Sequence, residues 1–278
     1  MEGDAVLSRV FLVAIAAIVL PASLVFAQPD NVVALCNDTL AALQKTDAAP
    51  LAKLLSVQAG TFLAVVGDKA IVLNADALAD KDKWADKPLL SEAAKAEDVK
   101  TSDRLYAVRV EGKIKDGDAT YLLDGVAVGE GDGLKWGMLA VVPAPDTDKP
   151  DEKARDEIVG LMSAWGQALA GGNPQPMLDS LSPDAMAFAV VGPDYGFYVF
   201  KDREDLKMTL EEAMAQGGLS VQFSQEPQVV VSGPAALLHG TWKLDVGGNA
   251  AELECWAHLE RTEEGWRVIA FFALPPEQ

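Results

Sequence analysis

The chain has 278 residues, of which 50% are hydrophobic and 23% are charged, a composition typical of globular domains rather than of disordered or disulfide-stabilised chains. Its 23 Lys and Arg against 42 Asp and Glu give a formal net charge of −19. This charge argues against nucleic acids and anionic membrane surfaces as partners, because both require a surplus of basic side chains.

The first 27 residues are predicted to be a secretory signal peptide. An unbroken apolar run from Val10 to Leu20 is followed by Pro21 and by the small residue Ala27, before a polar start. This run is short for a spanning helix, which needs about 20 apolar residues. We therefore expect cleavage after Ala27 and a secreted or periplasmic mature protein without stable membrane insertion. The acidic residues Glu2 and Asp4 are unusual in export signals and leave an uncleaved N-terminal membrane anchor as the alternative.

A repeat divides the remaining sequence into two copies. The stretch from Ala64 to Gly67 recurs from Ala189 to Gly192, at an offset of 125 residues (189 − 64). Each copy runs from a helical pattern through a short helix, a pair of short strands and long strands to a last strand that carries Trp and ends at Pro.

The composition between the copies predicts the domain boundaries. Residues 144–153 are rich in Pro, Asp and Lys and have little apolar content, which is typical of a linker. We therefore predict a divergent first domain at 28–143, a linker at 144–153 and a second domain at 154–278.

The second copy has the clearer secondary-structure signals. Ile158, Met162, Trp165 and Leu169 recur at helical spacing, and Asp202 is placed to cap a later helix. The predicted strands of this copy are 187–191, 196–200, 221–223, 229–231, 236–244, 251–260 and 266–274. The first copy follows the same order, with a helical stripe through Val32, Cys36, Leu40 and Leu43 and long strands at 104–114, 121–128 and 134–142.

This order of elements resembles the nuclear transport factor 2-like (NTF2-like) superfamily, and SnoaL-like and related small domains are the most similar. The residues that carry the resemblance are Trp165, the Ser182-Pro183-Asp184 turn and the closing run from Leu259 to Val268. The resemblance implies an α+β fold of two tandem cone-shaped domains, each a curved antiparallel sheet wrapped around about three helices. It also implies a pocket in each cone and sheet faces that dimerise, either in a homodimer or in an intramolecular pseudo-dimer.

The candidate catalytic residues are few. His239 and His258, the only histidines, lie on consecutive predicted strands, and histidine titrates in the range that suits proton transfer. Alternation places His239 on an inward face, whereas it places His258 with Trp256 at the centre of a charged face that is predicted to be solvated. Tyr198 is the third weak candidate, because a phenol in a pocket can donate a hydrogen bond to a carbonyl. We therefore assign no catalytic residue.

The predicted ligand pocket is formed by the residues of the second copy Trp165, Tyr198, His239, Trp242 and Trp266, although these aromatic side chains equally suit a packed core. No metal-binding or dinucleotide-binding spacing is present in the sequence, so we expect neither metal nor cofactor. Cys36 and Cys255 lie in different copies on apolar stripes, which favours two buried thiols and leaves a bridge between them as the alternative.

We therefore expect an exported, non-catalytic binding protein that holds a small apolar ligand or mediates protein association. An acid–base enzyme acting on a small hydrophobic substrate in the second pocket is the alternative, and a purely structural assembly module is the third possibility.

Overall fold

The structure is a computed structural model that describes residues 29–45, 48–57, 59–74, 77, 88–104, 107–130, 133–146, 150–183, 187–192, 196–200, 202–215 and 217–276. The predicted signal peptide lies outside these residues. Within them, no helix combines the length and the apolar character needed to cross a membrane.

The first half of the chain forms two helices and a six-stranded sheet. Its elements are α1 Pro29–Leu43, α2 Ala49–Ala52, β1 Thr61–Val66, β2 Lys69–Asn74, β3 Lys95–Arg104, β4 Ala107–Asp116, β5 Ala119–Glu130 and β6 Gly133–Pro143. The strands are arranged in the order β2-β1-β6-β5-β4-β3.

The second half repeats this arrangement with one further strand and one further described helix. Its elements are α3 Glu152–Ala170, α4 Gln175–Asp179, β7 Ala187–Gly192, β8 Gly196–Phe200, α5 Arg203–Ala215, β9 Leu219–Phe223, β10 Gln228–Ser232, β11 Ala235–Val246, β12 Asn249–Thr262 and β13 Gly265–Leu274. The order β8-β7-β13-β12-β11-β10 matches that of the first sheet, and β9 pairs with β11. The predicted α+β class with two tandem sheet-and-helix units is confirmed.

Two details of the predicted sheets are wrong. Each sheet is mixed rather than antiparallel, because β1 pairs in parallel with β6 and β7 pairs in parallel with β13. In addition, the predicted strand 104–114 corresponds to β4, and a further strand, β3, precedes it. The sequence of β3 is mostly charged, and Asp98 has a positive φ of 51° beside a register shift, so the strand lacks a regular hydrophobic alternation.

The N-terminal parts of the two copies align at an offset of 126, one residue more than the sequence match indicates, whereas their last strands align at an offset of 132 (268 − 136). Leu55 forms a parallel bridge to Trp136, and Leu181 (181 − 55 = 126) forms the equivalent bridge to Val268. The next residue repeats the pattern as well, because Ser56 donates to Glu130 (2.6 Å) and Ser182 donates to Glu260 (2.7 Å). Side chains alternate between the faces of a strand, so the one-residue difference decides which residues of the two copies are equivalent.

Each sheet packs its helices on one face. Helix α3 starts where Asp151 accepts a hydrogen bond from the Ala154 amide (3.0 Å), within the predicted linker. Its buried stripe of Ile158, Met162, Trp165 and Leu169 packs with the second sheet, as the helical spacing predicts. Helix α1 buries Val32, Leu35 and Cys36 with the first sheet in the same way. The protein therefore has two separate inner cores.

The opposite faces of the two sheets pack against each other. One shared cluster combines Ala59, Ala107, Val126, Val128 and Met138 of the first half with Ala189, Trp256, Ala270, Phe272 and Leu274 of the second. Another joins Leu63, Ala140 and Val142 to Ala235, Leu237 and Ile269. Fully buried apolar side chains from both halves thus form a third layer of core between the sheets.

The two cysteines are free thiols in different inner cores, Cys36 in the first and Cys255 in the second. Burial raises the pKa of Cys36 to about 11 and also raises the pKa of Cys255. Both side chains therefore act as small apolar core residues.

Candidate functional site

The three tryptophans of the predicted ligand pocket lie in the inner core of the second half. Trp165, Trp242 and Trp266 are 1%, 5% and 6% exposed. The Trp165 ring lies 6.3 Å from the Trp242 ring, and the Phe271 ring lies 5.9 Å from Trp165 and 4.4 Å from Trp242. All four side chains belong to the same buried apolar cluster, as core residues do.

Tyr198 lies at the edge of the same core. Its ring packs edge-on against Phe200 at 4.7 Å, and its hydroxyl donates to the Asp205 carboxylate of α5 at 3.2 Å. Burial and the Asp205 charge raise the pKa of Tyr198. The predicted cap of α5 is present, since Asp202 accepts a hydrogen bond from the Asp205 amide (2.8 Å).

Both histidines lie on the face of the second sheet that packs against the first half. Within strand β12, Cys255, Ala257 and Leu259 face the inner core, whereas Trp256 and His258 are both 1% exposed and face the other sheet. The prediction of a solvated face around His258 is therefore wrong. His239 pairs with Trp256 in register and stacks on its ring, so the prediction that it points inward is also wrong.

His258 takes part in a buried ionic network that joins the two halves, the interface triad of Arg109, Asp124 and His258. The His258 Nε2 lies 2.8 Å from Asp124 Oδ1, and the Arg109 Nη2 contacts Asp124 Oδ2. Arg109 and Asp124 are on neighbouring strands of the first half, β4 and β5, and their side chains are 5% and 15% exposed. A carboxylate of one copy thus joins a guanidinium of the same copy to an imidazole of the other.

The triad keeps Asp124 ionised. Burial by itself would raise the Asp124 pKa, but the Arg109 charge and the His258 hydrogen bond outweigh burial and hold this pKa well below its ordinary value. Because the carboxylate only accepts hydrogen bonds, His258 donates its Nε2–H to it. The His258 Nδ1 atom is buried and has no hydrogen-bond partner among the described residues.

Four of the five N–H groups of the Arg109 guanidinium donate hydrogen bonds to neighbouring residues. Its Nη1 donates to the carbonyls of Val110 (2.9 Å) and Gly125 (2.8 Å), and its Nη2 donates to Glu111 (3.0 Å) as well as to Asp124. The fifth donor, Nε–H, is buried without an acceptor in the described part of the chain. One guanidinium hydrogen is therefore without an acceptor among these residues and is also closed to solvent.

A stack of three side chains continues the network towards solvent. The Arg109 guanidinium lies 5.2 Å above the Trp256 ring, and the His239 ring stacks on Trp256 at 5.1 Å with an interplanar angle of 4°. Burial and the Arg109 charge together lower the pKa of His239, against the opposing effects of nearby carboxylates. His239 is therefore a neutral, half-buried imidazole.

Next to this stack is the interface cleft, an open cavity of about 480 Å³ between β3–β5 of the first half and β10–β11 of the second. Its polar lining includes Lys100, Arg109, Glu111, Asp124 and His239, and its apolar lining includes Leu122, Val230 and Leu237. Two other clefts have about 580 and 570 Å³, but their described lining residues include no histidine and no buried charged side chain. The interface cleft is thus the one of the three that adjoins the buried charges.

The structure separates the residues of the predicted pocket. Trp165, Tyr198, Trp242 and Trp266 belong to the inner core, whereas His239 lies on the opposite face of the sheet in the interface cleft. Among the described residues, no cluster of His, Cys, Asp and Glu has an arrangement that would hold a metal ion.

Sequence reasoning missed Arg109 and Asp124. A signal for both was present, because each is a charged residue inside an otherwise apolar stretch of a long strand: Ala-Val-Arg-Val from Ala107 and Leu-Leu-Asp-Gly-Val from Leu122. Charged residues are rarely buried unless they are paired. Two opposite charges on neighbouring apolar strands are therefore typical of a buried ion pair.

No protein-family model matches the chain, and no curated protein sequence matches it. Among solved structures, an NTF2-like protein with a cystatin-like fold from Novosphingobium aromaticivorans is 23% identical, covers 44% of this chain and 81% of its own, and has a TM-score of 0.36. An NTF2-like superfamily protein from Salmonella enterica serovar Typhimurium is 15% identical, with 46% and 95% covered and a TM-score of 0.39.

A third solved structure, an NTF2-like protein from Pseudomonas putida, is 18% identical, with 45% of this chain and 88% of its own covered and a TM-score of 0.38. Each of these three solved structures, all named NTF2-like, aligns with about half of this chain.

Proposed function

We propose that this protein is a non-catalytic binding protein that holds a small apolar ligand in the interface cleft. The observation that carries the proposal is the composition of this cleft. Both halves contribute to it, and it places Leu122, Val230 and Leu237 beside the half-buried ring of His239. Its described lining combines five apolar side chains with eight polar or charged ones, and its volume of about 480 Å³ falls in the range of about 300–1,000 Å³ that is usual for small-molecule sites.

The alternative of an acid–base enzyme has one observation in its favour, the hydrogen bond between His258 and Asp124. However, a general base must reach the proton that it abstracts. His258 is 1% exposed, and both Asp124 oxygens are engaged by His258 and Arg109. This pair therefore supports a structural role in joining the halves, and we favour binding over catalysis.

Titration with octan-1-ol, followed by thermal unfolding, tests the proposal. A ligand that binds the folded state raises its stability by RT ln(1 + [L]/Kd), so we expect a saturable rise in Tm. Gln228→Trp should abolish the rise, since Gln228 is an exposed residue that lines the cleft. Gln222→Trp is the matched control, because it places the same bulk at an exposed site on β9, away from the described lining of the cleft. The same rise in both variants would contradict the assignment to this cleft.

We also propose that the mature protein is exported and acts as one intramolecular pseudo-dimer, because the sheet faces that would pair two chains are packed against each other within this one. Mass spectrometry of the exported protein should find an N-terminus at Gln28, whereas an intact Met1 would support the membrane-anchored alternative. Light scattering should give the mass of one chain, and the mass of two would support a homodimer instead.

A further inference from the structure

Not every charged side chain of the interface cleft contacts a group of opposite charge. Each of its carboxylates has a cationic partner: Asp124 and Glu111 contact Arg109, and Asp98 lies 4.0 Å from the Lys113 Nζ. Lys100, by contrast, has no carboxylate partner in the described ranges, although it is paired with Glu111 in the β3–β4 register. Lys100 is therefore the one cation of the described lining that contacts no carboxylate, although the three carboxylates and three cations of this lining balance in charge.

Two further donors in the cleft lack acceptors. The buried Nε–H of Arg109 has none within the described part of the protein, and Arg109 is only 4% exposed. The neutral ring of His239 carries one N–H donor, and no hydrogen bond engages it among the residues that the structure describes. The Arg109 Nε–H is closed to a ligand, whereas the half-buried His239 ring can donate to an acceptor atom of a ligand in the cleft.

These groups lie beside an apolar surface. Leu122, Val230 and Leu237, which line the cleft, also belong to the apolar cluster between the sheets. A molecule in the cleft would therefore meet hydrocarbon on one side and unsatisfied donors on the other. This arrangement suits an amphipathic ligand rather than a wholly apolar one.

We propose that the interface cleft binds a small amphipathic carboxylate, whose carboxylate is held by His239 and Lys100 and whose hydrocarbon part covers Leu122, Val230 and Leu237. This inference rests on the proposed function and adds the chemical class of the ligand. An ammonium group in the same position would face the charge of Lys100 and would leave the donors of Lys100 and His239 without an acceptor. The overall charge of −19 opposes an anion at long range, but salt screens this repulsion beyond about 8 Å at physiological ionic strength.

Isothermal titration calorimetry of the full-length mature protein with octanoate, octan-1-ol and octylamine tests the inference, because these probes share a chain length and differ only in the polar end. We expect octanoate to bind at least tenfold more tightly than octan-1-ol, and octylamine to bind most weakly. If octanoate binds no more tightly than octan-1-ol, the inference is wrong and the proposed function stands. If none of the three probes binds, the proposed function is wrong as well.

Two variants test the residues that select the carboxylate. Lys100→Gln should weaken octanoate at least threefold and leave octan-1-ol unchanged, whereas Lys95→Gln, at another exposed position on β3 that is not part of the described lining, should change neither. His239→Phe keeps a ring on Trp256 but removes the donor, and it should likewise reduce only the octanoate affinity. If Lys100→Gln leaves octanoate binding unchanged, or weakens both probes equally, the assignment of the carboxylate to this end of the cleft is overturned.

Discussion

At the scale of single residues, Asp124 connects the two halves of the molecule. It accepts from His258 of the second copy and from Arg109 of its own copy, in surroundings that are largely closed to solvent. The attraction between buried charges is offset by their desolvation, so the intact network contributes little net stability. Removing one partner has a much larger effect, because it leaves the other charge buried without compensation.

Asp124→Asn should therefore lower the free energy of unfolding by about 3–5 kcal/mol, since it removes the negative charge that compensates Arg109. Urea or thermal unfolding measures this loss. Asp118→Asn is the control, because Asp118 is an exposed acid in the turn between β4 and β5, where substitutions change stability by about 0.5 kcal/mol or less. Equal effects of the two substitutions would contradict the buried ionic network.

The contribution of Asp124 should also depend on pH in a defined direction. Its folded-state pKa is held below the ordinary value of about 3.9, so its stabilisation is fully present above that value and is lost as the pH falls through the folded-state pKa. The stability difference between the wild type and Asp124→Asn should thus shrink as the pH falls below about 4. A difference that grows on acidification would contradict the lowered pKa.

At the scale of elements, close approach of the strands depends on glycine at particular positions. Gly137 of β6 faces the second half, where a Cβ atom would lie 2.7 Å from the Phe272 ring. Phe272 is completely buried between the sheets and has no room to withdraw. The glycine therefore permits the contact between the two sheets at this point.

Gly137→Ala should lower the free energy of unfolding by about 1–3 kcal/mol, because overpacking forces neighbouring groups to shift. Gly129→Ala serves for comparison: Gly129 lies on β5, and a Cβ there would have no described atom within 4 Å. Chemical denaturation of both variants provides the measurement. If Gly137→Ala is tolerated as well as Gly129→Ala, the sheets do not approach each other as described.

Periodicity in the sequence was sufficient to predict most elements. The stripe of α3 and the positions of β11, β12 and β13 were predicted correctly, because each buries a regular apolar face in the inner core, but the faces of His239 and His258 were not. Strand β3 was missed because its charged sequence has no alternation, and the parallel pairs were missed because pairing partners distant in sequence leave no local pattern.

At the scale of the whole molecule, the two copies differ where they meet. Register shifts after Val126 in β5 and after His258 in β12 mark equivalent points of the two sheets. Asp124 and Val126 of the first copy thus correspond to Trp256 and His258 of the second, and Asp124 contacts His258 across the interface. Divergence between the copies has made the facing surfaces complementary rather than identical.

This complementarity also explains why the candidate site was not predicted from the sequence. The charged residues around His258 indicate a solvated face when the second copy is considered alone. The charged side chains that cover the centre of this face come from residues more than 130 positions away in the chain (258 − 124 = 134). Internal repeats predict two similar units, but they carry no direct signal of which surfaces those units bury against each other. The inner aromatic core, by contrast, depends on one copy only and was accessible to sequence reasoning.

A double-mutant cycle between Asp124 and His258 tests the packing of the two halves most directly. The free energy of unfolding would be measured for the wild type, Asp124→Asn, His258→Phe and the double variant. Residues in contact show interaction energies of about 0.5–3 kcal/mol, so the double variant should lose less stability than the sum of the single losses. Losses that add to within about 0.3–0.5 kcal/mol, as for residues more than about 7–10 Å apart, would contradict the contact between the halves and the cleft that depends on it.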